Sequence, residues 1–139
     1  MKVINILLVE DDDLDTMHIK RAFDKMKIVY KLNAVKNGEE AIKVLKGEDD
    51  GTTQTLPDVL LVDINMPRMN GLEFLSIVRN SEEWKNLKSY IVTTSEEKID
   101  KEEAERLGIS GYIVKPLKLN NPSSMDVFNL MIDLMNMKD

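Results

Sequence analysis

The chain has 139 residues, enough for one domain with a substantial core, and its 19 basic against 25 acidic residues leave a net charge of −6. That balance favours solubility and argues against nucleic-acid binding, which wants a basic face. The absence of cysteine excludes disulfides, thiolate catalysis and cysteine-based metal sites, and fits a reducing cytoplasm. No apolar stretch approaches the roughly eighteen residues of a membrane span, and Met1 to Asn5 runs straight into an apolar segment, so neither a membrane anchor nor a signal peptide is expected.

Apolar runs alternate with amphipathic stretches, the pattern of an α/β domain with a mainly parallel sheet. Ile4 to Glu10 reads as a first strand. Asp13 to Lys27 reads as a helix with Ile19, Ala22, Phe23 and Met26 on one face, and Asp12 or Asp13 as its cap. Tyr30 to Val35 is a short second strand, and Asn37 can cap a helix through Ala41, Ile42, Val44 and Leu45. Lys46 to Leu56, with Gly, Thr and acidic residues, reads as a solvated loop. Asp58 to Asp63 is a third strand, Leu72 to Arg79 a helix, and Ser89 to Thr94 a fourth strand. Ile99 to Leu107 is a helix stopped by Gly108, and Gly111 to Val114 a fifth strand. Asn120 to Ser124 leads into a last helix, Met125 to Met137. Neither a repeat nor an interdomain linker interrupts this order, so residues 1–139 are expected to be one domain.

The last helix carries more apolar surface than one sheet contact requires. Met125, Phe128, Ile132 and Met135 form one stripe; Val127, Met131 and Leu134 form another. A broad core face fits this, and so does a homodimer or target surface made by the second stripe, to which adaptable methionines are suited.

Chemistry concentrates at two strand ends. Val59 to Val62 reads as a strand buried on both faces, and Asp63 stands at its end before a loop containing Pro67 and Gly71. Glu10 and Asp11 follow the apolar run Ile6 to Val9 in the same way. Open α/β sheets place ligands at such edges. Carboxylates brought together there need a cation or protons, which points to a divalent metal. Taken singly, acidic residues after a strand are more often the first turn of a helix, favoured by its dipole, and Asp12 and Asp13 fit that role. His18, the single histidine, falls near exposed helix positions and has no second histidine with which to share a metal.

The order of elements, together with these residues, resembles the receiver domain of two-component response regulators over essentially the whole chain. Glu10 and Asp11 match the acidic pair, Asp63 the phosphoacceptor, and Thr93 the hydroxyl after the fourth strand. Lys115-Pro116 matches the lysine and its usually cis proline, and Tyr112 the aromatic switch position. Thr93 follows Asp63 by 30 residues and Lys115 follows Thr93 by 22, as in the family. Thr94 departs from the small residue usual there and is expected to narrow access to the phosphoryl site. The Glu-Asp-Asp start, the Pro-Arg-Met-Asn-Gly loop and the Thr-Thr-Ser run look most like single-domain regulators paired with cyanobacterial phytochromes.

The resemblance implies a flavodoxin-like, doubly wound five-stranded parallel sheet of order 2-1-3-4-5 with helices on both faces. It implies transfer of a phosphoryl group to Asp63 from the phosphohistidine of a sensor histidine kinase or a histidine phosphotransfer protein, with Mg2+. Asp11, Asp63 and the Asn65 carbonyl would be ligands, and Glu10 would hold a metal-bound water. Lys115 would supply a fixed positive charge, Thr93 would bond a phosphoryl oxygen, and Tyr112 would turn inward. Such a protein is a switch with self-catalysed transfer and autodephosphorylation, not an enzyme for an outside substrate. With no output region in the sequence, it is expected to act on a protein effector, away from nucleic acid and membranes. A phosphohydrolase of the haloacid-dehalogenase kind would need an acid where Asn65 stands. A flavodoxin-like FMN protein would need a Ser/Thr/Gly-rich loop where Glu10 to Asp13 stand. A degenerate receiver serving only for docking would be expected to have lost part of the site.

Overall fold

Five apolar runs become the strands of a single sheet: β1 (Val3–Val9), β2 (Val29–Val35), β3 (Val59–Val62), β4 (Lys88–Thr93) and β5 (Gly111–Val114). A computed structural model describes residues 1–47, 56–120 and 124–138. The sheet order is β2-β1-β3-β4-β5 and every pairing is parallel. All four residues of β3 are buried, as a central strand with both faces covered requires. β2, at an edge, buries Val35 and leaves Val29 exposed.

Parallel strands need crossovers, and the helices supply them. They are α1 (Asp13–Asp24), α2 (Gly38–Lys46), α3 (Gly71–Arg79), α4 (Lys98–Arg106) and α5 (Met125–Met137). Alternate strand residues divide the core in two. Ile4, Ile6, Leu8, Leu61, Tyr90 and Val92 meet α1 and α5 through Ile19, Phe23, Val127, Leu130 and Leu134. Leu7, Val9, Leu60, Val62 and Ile91 meet α2, α3 and α4 through Leu45, Phe74, Leu75, Val78 and Ala104. Each large aliphatic side chain so buried contributes about 1.5–3 kcal/mol. Among the described residues no helix is long and apolar enough to cross a membrane.

Several boundaries differ from the sequence reading. α1 ends at Asp24, short of Lys27, because the Met26 N–H turns back to the Phe23 carbonyl and Met26 packs against the core. α2 runs to Lys46, where Gly47 closes it in the left-handed region at φ 75°. The expected loop therefore begins later, and most of it, residues 48–55, lies outside the described residues, as do residues 121–123. In α5 the second stripe faces the core and the first does not. Val127 and Leu134 are core, with Leu130 between them, whereas Met125, Phe128 and Ile132 are exposed.

One side chain ties together three segments on the α4 side of the sheet. Arg79, the last residue of α3, donates from Nε to the Leu107 carbonyl (2.6 Å) and from Nη1 to the carbonyls of Lys85 (3.2 Å) and Leu87 (3.0 Å). Nη2 reaches the Gly108 carbonyl at 3.4 Å. The end of α4 is thereby fixed to the end of α3 and the start of β4.

Candidate functional site

The register places the reactive positions side by side. Val9 pairs with Val62, Val62 with Ile91, and Thr93 with Val114, so Glu10, Asp63, Thr93 and Lys115 all emerge at the C-terminal edge of the sheet. Backbone bonds continue the ladder there. Asp63 N–H donates to the Val9 carbonyl (2.9 Å) and Lys115 N–H to the Thr93 carbonyl (2.8 Å). The Lys115–Pro116 peptide is cis, as the resemblance implied. Gly71 has no room for a side chain, since a Cβ there would lie 2.0 Å from the Asp63 carbonyl oxygen. That close approach lets α3 begin directly behind Asp63.

Asp63 is almost enclosed. Its Oδ1 accepts from the Ile64 N–H at 2.8 Å and its Oδ2 lies 3.3 Å from Lys115 Nζ. One carboxylate oxygen from each of Glu10, Asp11 and Asp63 falls within 4.8 Å of the others; Asp11 is exposed and the other two are buried. This set of hard oxygen donors, two buried and one exposed, fits a divalent cation with water completing its shell. Asn65, two residues beyond Asp63, is exposed beside it.

Lys115 faces this cluster with its side chain 10% exposed and bonds Glu10 Oε1 (2.5 Å), Asp15 Oδ2 (2.8 Å) and Asp63 Oδ2 (3.3 Å). Burial would lower its pKa, but the bonds to Asp15 and Glu10 and the charges of Asp63 and Glu10 more than offset this, so the ammonium is held charged. Glu10 goes the other way. Burial pushes its carboxyl up to about 7, and the Asp63 charge adds to that, despite bonds from Lys115 and from the Asp12 N–H.

Thr93 is fully buried, and its Oγ1 accepts from the Ser95 N–H at 3.3 Å. Thr94 is exposed. Ser95 is a junction: its carbonyl accepts from the Tyr112 hydroxyl (2.9 Å) and its own hydroxyl donates to Asp100 (2.7 Å) in the first turn of α4. The Tyr112 ring is half-buried, with Lys101 Nζ 5.5 Å from its centre. Burial raises the Tyr112 phenol above its ordinary value.

The structure thus brings together Glu10, Asp11, Asp63 and Lys115, and joins Thr93 to Tyr112 through Ser95. Sequence reasoning missed Asp15 and Ser95. Asp15 lies in the first turn of α1, where helix polarity alone accounts for an acid, and the only further signal was its spacing from Glu10 and Asp11. His18 is exposed on α1, as expected.

A parallel sheet of this order with carboxylates, a hydroxyl and a lysine on one edge has counterparts among known proteins. The chain belongs to the response regulator receiver domain family, whose model matches residues 6–124. The "Probable methanogenesis regulatory protein FilR2" of Methanothrix harundinacea is 30% identical over 116 residues, covering 84% of this chain and 74% of that protein. Response regulator Rcp1 of Synechocystis is 25% identical over 116 residues, covering 84% and 79%. Its solved Mn(2+)-bound form superposes with a TM-score of 0.76 at 24% identity, over 92% of this chain and 88% of that one. A two-component response regulator from Legionella pneumophila superposes with a TM-score of 0.81 at 30% identity, over 96% and 99%. Bacteriophytochrome response regulator RtBRR also superposes, with a TM-score of 0.79 at 32% identity over 96% of this chain and 78% of that one, and the haloacid-dehalogenase-like alternative is not favoured.

Proposed function

We propose that this receiver works as a phosphorylation switch, one domain over residues 1–139, in which Asp63 accepts a phosphoryl group from the phosphohistidine of a sensor histidine kinase or a histidine phosphotransfer protein. The observation that carries this reading is the Asp63 carboxylate, nearly enclosed, with an ammonium 3.3 Å away and two further carboxylates beside it. In the transfer an Asp63 oxygen attacks phosphorus, the bond to the imidazole nitrogen breaks, and that nitrogen keeps the electron pair and takes up a proton. Asp11, Asp63 and the Asn65 carbonyl would hold Mg2+, with Glu10 positioning a water of its shell; when bound, the ion offsets charge on the phosphoryl oxygens. A manganese-bound relative supports a divalent site of this kind.

Lys115 neutralises the acyl phosphate, and the Thr93 hydroxyl gains a charged acceptor only in the phosphorylated state. Thr93 then draws Ser95 with it, and Tyr112 follows toward the interior. The face of α4, β5 and α5 is the surface read by a protein effector, or by a second copy of the chain in a homodimer. The protein is a cytoplasmic switch that removes its own phosphoryl group by hydrolysis, not an enzyme for a separate substrate.

The test is labelling with acetyl phosphate and Mg2+, followed by intact-mass measurement. A single hydroxylamine-labile phosphoryl adduct is expected in the wild type, and none in Asp63→Asn or without Mg2+. Equal labelling of Asp63→Asn would refute the assignment.

A further inference from the structure

Asp15 is not used as a first-turn acid ordinarily is. In α3 the corresponding acid, Glu73, folds back to accept from the Asn70 N–H, while Asn70 accepts from the Glu73 N–H. α1 begins with the same spacing, and Asp12 Oδ1 accepts from the Asp15 N–H at 2.9 Å. The return half is missing. The Asp12 N–H goes instead to Glu10 Oε2 (3.1 Å), and the Asp15 side chain reaches across to Lys115 at 2.8 Å.

This diversion fills the ammonium. Lys115 has three donors, and Glu10, Asp15 and Asp63 take them at 2.5, 2.8 and 3.3 Å. The longest of the three is the one to Asp63. To engage a phosphoryl oxygen on Asp63, Lys115 must move along that longest contact and loosen another. Glu10, with its side chain 1% exposed, is shielded from bulk solvent that would otherwise take the lysine's place. Asp15, 33% exposed, can rehydrate when it lets go.

We propose that Asp15 is a positioning residue that holds the Lys115 ammonium back from Asp63 and so opposes anion binding there, setting how far the phosphorylated state is populated. This rests on the reading of Asp63 as phosphoacceptor. Asp15 lies outside the carboxylate cluster of Glu10, Asp11 and Asp63 and acts through Lys115. Its negative charge and its grip on the lysine work in the same direction, and Asp15→Asn weakens both while keeping the side-chain shape.

The experiment is an NMR titration of the folded full chain with beryllofluoride, a phosphoryl mimic, at saturating Mg2+. Asp15→Asn is expected to bind the mimic on the order of 3- to 10-fold more tightly than wild type, the lower end reflecting solvent screening at a partly exposed carboxylate. In a Lys115→Met background the same substitution should give no gain. The 15N signal of the Lys115 ammonium, which a general loss of helix stability would not move, should shift in Asp15→Asn in the direction that beryllofluoride shifts the wild type. Where Lys115→Met binds too weakly to titrate, that signal decides. Unchanged or weaker binding by Asp15→Asn, a gain that survives without Lys115, or an unmoved ammonium signal overturns the proposal. If wild type itself takes up no mimic while Mg2+ binds, the phosphoacceptor reading has failed, and this proposal with it.

Discussion

Glu10 carries opposing demands at a single residue. Burial raises its carboxyl to about 7 from an ordinary 4.5. A carboxyl raised in this way contributes most stability when protonated. The contribution is full below the unfolded value and is lost as pH rises through the folded one. The metal-free protein should therefore lose on the order of 2–3 kcal/mol between about pH 5 and pH 8 from this group. Urea unfolding at several pH values measures it, and Glu10→Gln should remove most of that slope. Mg2+ added near neutral pH should also release protons, because a metal site requires ionised carboxylates. A second single-residue consequence follows from Gly71. With the Asp63 carbonyl 2.0 Å from any Cβ, Gly71→Ala must displace backbone and should cost about 3 kcal/mol. The grouping of Glu10, Asp11 and Asp63 was legible in the sequence because strand ends deliver their residues to one edge in any parallel sheet, whereas Thr93, Tyr112 and Lys115 were singled out by the family resemblance. Asp15 was not legible, because its partner lies 100 residues away and only the fold brings the two together.

Elements differ in how firmly their ends are fixed. α3 starts with a complete reciprocal cap, and Asn70→Ala should lower stability by about 1 kcal/mol, read as a shift in the urea midpoint. The segment between β4 and α4 depends on the Tyr112 hydroxyl at the Ser95 carbonyl. Tyr112→Phe should reduce amide-exchange protection there by roughly 3- to 10-fold in the unphosphorylated protein. The strands could be read from sequence because Val59 to Val62 and Ile6 to Val9 admit few other structures. The end of α1 could not, since Lys25, Met26 and Lys27 all suit a helix and only the return of Met26 to the core stops it. The stripes of α5 were equally ambiguous. Both are apolar at helical spacing, and periodicity does not say which one meets the sheet. Leu130, absent from both stripes, lies at the centre of the buried face.

For the whole molecule, the division of its apolar residues between core and surface is testable. Leu134→Ala should cost about 2–5 kcal/mol, whereas Phe128→Ala, on the exposed stripe, should change stability by less than about 0.5 kcal/mol. Thermal unfolding of the two variants separates the core role of Leu134 from the interface role that the sequence left open beside it. α5 is further fastened by polar contacts. The Tyr90 hydroxyl bonds Asp133, Lys88 pairs with the same carboxylate at 3.1 Å, and Asp126 accepts from the Tyr112 N–H at 3.0 Å. On one side of the α4-β5-α5 face, α5 is thus held to β4 and β5 by side-chain contacts as well as by its core face.

The other side is different in kind. Arg79 pins only the C-terminal end of α4. Ala104 is the helix's one buried residue, and Glu97 offers no side-chain cap at its start. α4 is thus a lever with its fulcrum at Leu107 and, at its other end, a first turn tied to Ser95 through Asp100. Under the proposed switch, a small pull on Thr93 would pass through Ser95 to that first turn, where a given force turns the helix most, and the tethered end would convert the pull into rotation. Replacing Arg79 would release the fulcrum, so that the same pull dissipates as sliding.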